Sequence, residues 1–197
     1  MQEITGDLFN PSTYRSSFLD NLGSKDIEAL QAGPDAICIT TNGFVKKSDG
    51  ECVMGRGCAL TAKKMIPDLP HRLGKYLNQY GNRVFDMGRM SNGMNLVTFP
   101  VKPSKGIANS SVTNVVKHMR KRFKHRDIVP GWAMVADISI IKRSARQLVE
   151  LADKRGWKHV VLPRPGAGAG ELEWNDVKPI LESILDDRFY CITFRNM

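Results

Sequence analysis

The 197 residues suffice for one well-buried core and are too few for two comfortable ones; 42% are hydrophobic and 25% charged, an ordinary globular balance. No apolar run reaches the length of a membrane span, and the opening MQEITGDLF lacks the basic-then-apolar layout of a secretory leader, so a soluble, cytoplasmic protein without membrane contact is expected. Twenty-nine basic against twenty acidic residues give a net charge of +9 and a pI near 9.5, which points to an anionic partner, a nucleotide or a polynucleotide, or to a solubilising field.

In chain order, 2–5 is the first predicted strand. Residues 10–33 have no strong period and read as a loop followed by a short helix around 25–31. A strand at 36–41 leads to a helix at 58–66, which resumes after Pro67 as 69–80. Strands follow at 83–87 and 95–99, a helix at 112–124, and a strand at 132–136. The helix predicted at 139–154 places Ile140, Ile141, Ala145, Leu148 and Leu151 on one side. A strand at 159–162, a helix at 174–185 and a strand at 190–194 complete the chain. Pro179 is awkward in that last helix, because it removes a backbone donor. The alternation implies an α/β sheet with helices on both faces. Without repeat, linker or composition break, residues 1–197 read as a single domain.

Cys38 and Cys191 lie in apolar strand-like runs; Cys52 and Cys58 complete the set. No CxxC spacing occurs and no histidine stands near a cysteine pair, so neither a metal site nor a cofactor is expected. His71, His118, His125 and His159 have no triad-like setting. The run KHMRKRFKHR, 117–126, carries six lysines and arginines. It reads as a nucleic-acid backbone patch or, preferably, as the solvated face of a helix over Val115, Val116, Met119 and Phe123.

Two segments share one layout, a buried strand, a glycine cluster and a helix: AICITTNGFVKKSDGECVMGRGCALTAKKM and HVVLPRPGAGAGELEWNDVKPIL. Glycine leaves no Cβ and admits positive φ, so backbone N–H groups can converge on one anion beside a helix N-terminus. Neither loop fits the P-loop pattern or a dinucleotide fingerprint, but the pair can clamp a diphosphate from two sides.

GDLF near the start, a strand ending at Asn42, then MGRGCAL and LPRPGAGAGELEW together resemble the macro domain over nearly the whole chain. The similarity is nearest to the branch of the terminal ADP-ribose protein glycohydrolases and ADP-ribose-1″-phosphate phosphatases, with compact viral and phage-type macro domains alongside. The resemblance implies a three-layer α/β/α fold with a mixed central sheet and an ADP-ribose cleft at its crest. It implies that Asp7, beside Leu8, accepts from the adenine amino group, since a carboxylate only accepts; otherwise Asp7 caps a turn. It places Asn42 toward the distal ribose, with a turn role the alternative, and Thr41 among the ligand-binding residues. Gly55, Arg56, Gly57, Cys58 and Ala59 line one side of the diphosphate; Gly166, Ala167, Gly168, Ala169, Gly170 and Glu171 line the other. Phe194 stacks on adenine or packs in the core.

The glycohydrolase branch pairs a lysine with an aspartate. Their positions fall near Asp86–Met87 and at Gly170, and neither residue type is present there. Asn42 and Glu171 are therefore the candidate catalytic residues, with Asp49 and Glu51 as weaker candidates that read more readily as ordinary surface carboxylates. The expected function is binding of ADP-ribose or a derivative and removal of a group at the distal ribose, the 1″-phosphate or an ADP-ribosyl linkage to a macromolecule. A non-catalytic ADP-ribose reader and a nucleic-acid binder using 117–126 are the alternatives.

Overall fold

The computed structural model describes residues 1–14, 16 and 33–194. The helix expected around 25–31 lies outside them. Six strands form one sheet in the order β1 (Gln2–Thr5), β8 (Phe189–Thr193), β7 (Val160–Pro163), β2 (Ala36–Asn42), β4 (Asn95–Lys102) and β3 (Phe85–Arg89). All neighbours run parallel except β3, which pairs antiparallel with β4, so the sheet is mixed.

Strand alternation divides the core in two. On β2, Ile37 and Ile39 enter a cluster with Leu69, Leu73 and Leu77. Ala36 and Cys38 point the other way, toward Ile141, Ala145, Leu148, Val177 and Leu181. The first face carries helices α1 (Gly57–Met65) and α2 (Leu69–Tyr80); the second carries α3 (Ile138–Arg155) and α4 (Trp174–Glu182). This is the three-layer α/β/α arrangement with apolar side chains on both sheet faces. Among the described residues no helix is long and apolar enough to cross a membrane.

The helix ends follow local chemistry. Asp137 caps α3 by accepting from Ser139 N–H (2.7 Å) and Ile140 N–H (3.3 Å), and Gly156 ends it at φ 67° in the left-handed region. Pro179 does sit inside α4. The helix 112–124 is a correction: only Lys117–Arg122 is helical, as a 3-10 turn, because Val112 takes φ 54° and Asn109, Thr113 and Asn114 hydrogen-bond one another there. The strand at 132–136 is a second: Gly131–Ala133 is a 3-10 turn, and the N–H groups of Met134, Val135 and Ala136 bond the carbonyls of Gly131, Asn114 and Gly170 rather than a neighbour in the six-stranded sheet. A two-stranded ribbon, β5 (Lys105–Ile107) with β6 (Ile128–Pro130), has no counterpart among the strands expected from sequence.

One contact sets the approach to the first glycine loop. A Cβ built on Gly74 of α2 falls 1.9 Å from the Gly50 carbonyl oxygen, so the turn before that loop rests directly on the helix backbone. Gly74→Ala is expected to lower stability by about 3 kcal/mol, as overpacking against rigid backbone does. Denaturant unfolding measures this, and an unchanged midpoint would contradict the packing described.

Candidate functional site

The carboxyl ends of β1, β2, β4, β7 and β8 share one edge of the sheet, the place where open α/β sheets collect ligands. There a cleft of about 570 Å3 is lined by Gly55, Arg56, Gly57, Leu60, His118, Gly168, Ala169 and Glu171. Both glycine loops therefore wall one cavity.

The first loop ends as α1 begins, with Gly57 at φ 55°. The buried sulfur of Cys58 accepts from the Thr40 N–H (3.3 Å), and burial raises its pKa, so it anchors the helix start on β2 and is no reactive thiolate. The second loop turns on itself: Leu172 N–H bonds Gly166 O (2.9 Å) and Glu171 N–H bonds Gly168 O (3.0 Å). Its entrance and exit are tied through Glu3, whose carboxylate meets Arg164 (2.9 Å), Trp174 Nε1 (3.0 Å) and Lys178 (2.5 Å). These bonds give the arginine of LPR and the tryptophan of LEW a structural purpose. Among the described residues the N–H groups of Gly55, Gly57, Gly168 and Ala169 have no protein acceptor. Backbone donors left without acceptors at a cavity wall, next to a helix N-terminus, suit an anion.

Asp7 and Phe194 emerge at adjoining strand ends, since Thr5 is in register with Thr193. Asp7 Oδ1 accepts from Phe9 N–H (3.0 Å) in a turn, while Oδ2 has no partner among the described residues. Leu8 is buried, and its carbonyl accepts from the Tyr14 hydroxyl (3.1 Å). Phe194 is 69% exposed, which removes it from the core. Thr41 and Asn42 are buried at the end of β2. The Asn42 amide nitrogen donates to Val53 O (2.8 Å) and its oxygen accepts from Phe44 N–H (3.0 Å), so the side chain staples the loop between them. Asp49 and Glu51 pair with Lys46 at 2.5 and 3.1 Å and line no part of the cleft.

Glu171 carries both oxygens on the Lys117 N–H (2.8 and 3.0 Å), from a backbone at φ 60°. Ala167, Gly166 and Gly170 form the body of the loop rather than its rim. A Cβ on Gly170 would meet Gly166 O at 2.5 Å and Ala136 Cβ at 2.7 Å, so no aspartate can stand there.

Sequence reasoning misses one cleft group and one buried amine beside the cleft. His118 lines the wall. Lys102 ends β4, with Nζ donating to Ala169 O (2.8 Å) and Trp132 O (3.4 Å). Burial drops its pKa to about 8; the negative charge of Glu171 opposes the shift and Arg56 adds to it. Lys102 is 8% exposed. Its signal is a lysine closing the apolar run NLVTFPVK, obscured because Pro100 argues against a continuing strand. β3 starts opposite Thr98, so nothing on that side requires the proline's missing N–H. Asp86, by contrast, sits on edge strand β3, in register with Val97 and paired with Arg155 (2.6 Å).

The chain has the macrodomain fold. It is similar to the macrodomain of DarG from Mycobacterium tuberculosis (22% identity, 82% of this chain and 88% of that one, TM-score 0.55). It is also similar to the macrodomain of Thermus aquaticus DarG (19%, 97% and 95%, 0.58). A third similar structure is Thermosipho africanus DarTG in complex with ADP-ribose (18% identity, TM-score 0.58), where 85% of this chain aligns with 39% of that one. No family model and no curated protein matches the sequence.

Proposed function

We propose that this protein binds ADP-ribose or a derivative in the cleft and removes a group from its distal ribose. The observation that carries the reading is that both glycine loops line one cavity at the carboxyl ends of parallel strands and contribute backbone N–H groups without protein acceptors among the described residues. It agrees with ADP-ribose in the similarly folded DarTG.

The diphosphate lies between Gly55–Ala59 and Gly166–Glu171. Adenine lies at Asp7 and Leu8, with Asp7 Oδ2 accepting its amino group and the exposed Phe194 ring beside it. The distal ribose lies toward Thr41, Asn42 and the second loop, where Asn42 keeps one N–H for a hydroxyl. Lys102 supplies the ionisable group: a desolvated amine titrating near neutrality moves protons or attacks carbon more readily than an exposed lysine. The exposed basic face at 117–126 beside the cleft supports an ADP-ribosylated macromolecule as the carrier of the group removed.

Calorimetry with ADP-ribose is expected to show binding, weakened about tenfold by Asp7→Ala through loss of one charge-assisted hydrogen bond. Absence of binding by the unaltered protein would overturn the proposal. Product analysis after incubation with ADP-ribose-1″-phosphate and with ADP-ribosylated protein decides the reaction. Unchanged substrate with intact binding makes the protein a reader. Salt-dependent binding of oligonucleotides without any ADP-ribose binding makes it a nucleic-acid protein.

A further inference from the structure

Residues 103–135 leave the sheet between β4 and α3 and build a lobe of their own. Val115, Val116, Met119, Val129, Ala133 and Met134 form its small core, with β5 and β6 as its ribbon. The lobe holds seven lysines and arginines against one aspartate, most of the net charge of the chain. His118 extends from it into the cleft wall.

Two charged side chains fasten the lobe to the cleft. From below, Lys102 Nζ reaches Trp132 O at 3.4 Å. From the second glycine loop, Glu171 places both oxygens on the Lys117 N–H, with the Arg120 guanidinium 4.0 Å away. Glu171 does so at φ 60°, a backbone state that costs energy for any residue with a Cβ and would be relieved by glycine. Its carboxylate is turned onto the lobe and committed there, which is the wrong posture for a free general base.

We infer that Glu171 is a positioning residue: its carboxylate clasps the basic lobe to the second glycine loop and so holds His118 as the third wall of the nucleotide cleft. Without the clasp the lobe keeps its own core and the sheet keeps both faces, so the fold survives. What is lost is preorganisation, because the wall must then be ordered at the moment of binding. The inference rests on the proposed ligand only for its affinity readout.

Lys117→Pro deletes the accepted N–H at a position made for proline. Lys117 opens the 3-10 turn, and Val116 before it stands at φ −59° and ψ 140°, the conformation a pre-proline residue prefers. Lys117→Ala removes the side chain but keeps the N–H. Glu171→Gly removes the carboxylate and relaxes φ, whereas Glu171→Gln retains an oxygen acceptor. Amide hydrogen exchange at 118–123, without ligand, reads the clasp; calorimetry with ADP-ribose reads its consequence. Lys117→Pro and Glu171→Gly are expected to speed exchange and weaken ADP-ribose binding, each about tenfold, the loss of one charge-assisted hydrogen bond. Lys117→Ala is expected to match the unaltered protein, and Glu171→Gln to recover most of both properties. Unchanged exchange in Lys117→Pro, or a Glu171→Gln variant as impaired as Glu171→Gly, would overturn the inference. If the unaltered protein fails to bind ADP-ribose, the functional proposal falls while the exchange measurement still decides the clasp.

Discussion

One methyl group added at Gly170 is expected to disable the second glycine loop. The new Cβ would lie 2.5 Å from Gly166 O, 2.8 Å from Gly166 Cα and 2.7 Å from Ala136 Cβ. Two of those atoms are backbone and the third is fixed to it, so no side-chain rotation offers relief. Both carbonyls involved are also in use, Gly166 O by Leu172 N–H and Gly170 O by Ala136 N–H, each at 2.9 Å. Making room breaks one of these bonds or shifts the start of α3. The expected cost of Gly170→Ala is about 2–4 kcal/mol of stability, from overpacking plus a lost backbone bond. ADP-ribose affinity is expected to fall by roughly a hundredfold, because the displaced loop no longer aims its N–H groups. Gly168 is the control: it has no positive φ, and nothing stands within 4 Å of its added Cβ. Gly168→Ala should fold like the unaltered protein, while a bulky residue there should fill the cleft without unfolding it. Denaturant titration and calorimetry on the set decide the matter, and a Gly170→Ala protein with native stability and affinity would refute the packing argument.

Replacing Lys102 should separate stability from turnover in opposite directions. In the unfolded chain a lysine titrates near 10.5, whereas burial lowers Lys102 to about 8 in the folded protein. The unfolded state therefore binds more protons between those values. Stability must rise with pH across that window, and the full penalty of the buried charge is felt below it. The gap corresponds to roughly 3 kcal/mol. Lys102→Met is expected to flatten this part of the stability–pH curve and raise stability at neutral pH. The gain is smaller than the gap, because the bonds to Ala169 O and Trp132 O go too. If the proposed reaction runs through this amine, the same variant at saturating substrate loses about a thousandfold in rate, within the range for a proton-transfer group. Unfolding curves from pH 7 to 11 test the first half, and turnover of ADP-ribosylated protein tests the second. A variant with the original pH slope would show that Lys102 is not the buried titrating group, and full turnover would remove its amine from the reaction.

Much of the architecture is legible in the sequence because it depends on neighbours a few residues apart. Continuous apolar runs mark β2, β7 and β8 to within a residue or two, and the leucine spacing of 69–80 marks α2 completely. The errors cluster between Pro103 and Val135. There Val115, Val116, Met119 and Phe123 have helical spacing, but polar side chains claim the backbone at Asn109–Asn114 and a positive φ at Val112 stops the helix before it starts. Short-range pattern cannot weigh that competition against the lobe core, whose partners Val129, Ala133 and Met134 come later in the chain.

The two glycine loops are visible in the sequence as paired strand–glycine–helix segments, because tight turns at strand ends demand glycine locally. That both loops wall a single cleft follows from β2 and β7 lying side by side and parallel, which is a property of the sheet. The electrostatics at and beneath the cleft belong wholly to tertiary structure. Lys102 acquires its depressed pKa from burial under Ala169, sixty-seven residues away. Glu171 changes from a free acid into a clasp because the fold brings the Lys117 N–H to it across fifty-four residues. A residue's type is written locally, but its desolvation and hydrogen-bond partners are set by whatever packs against it.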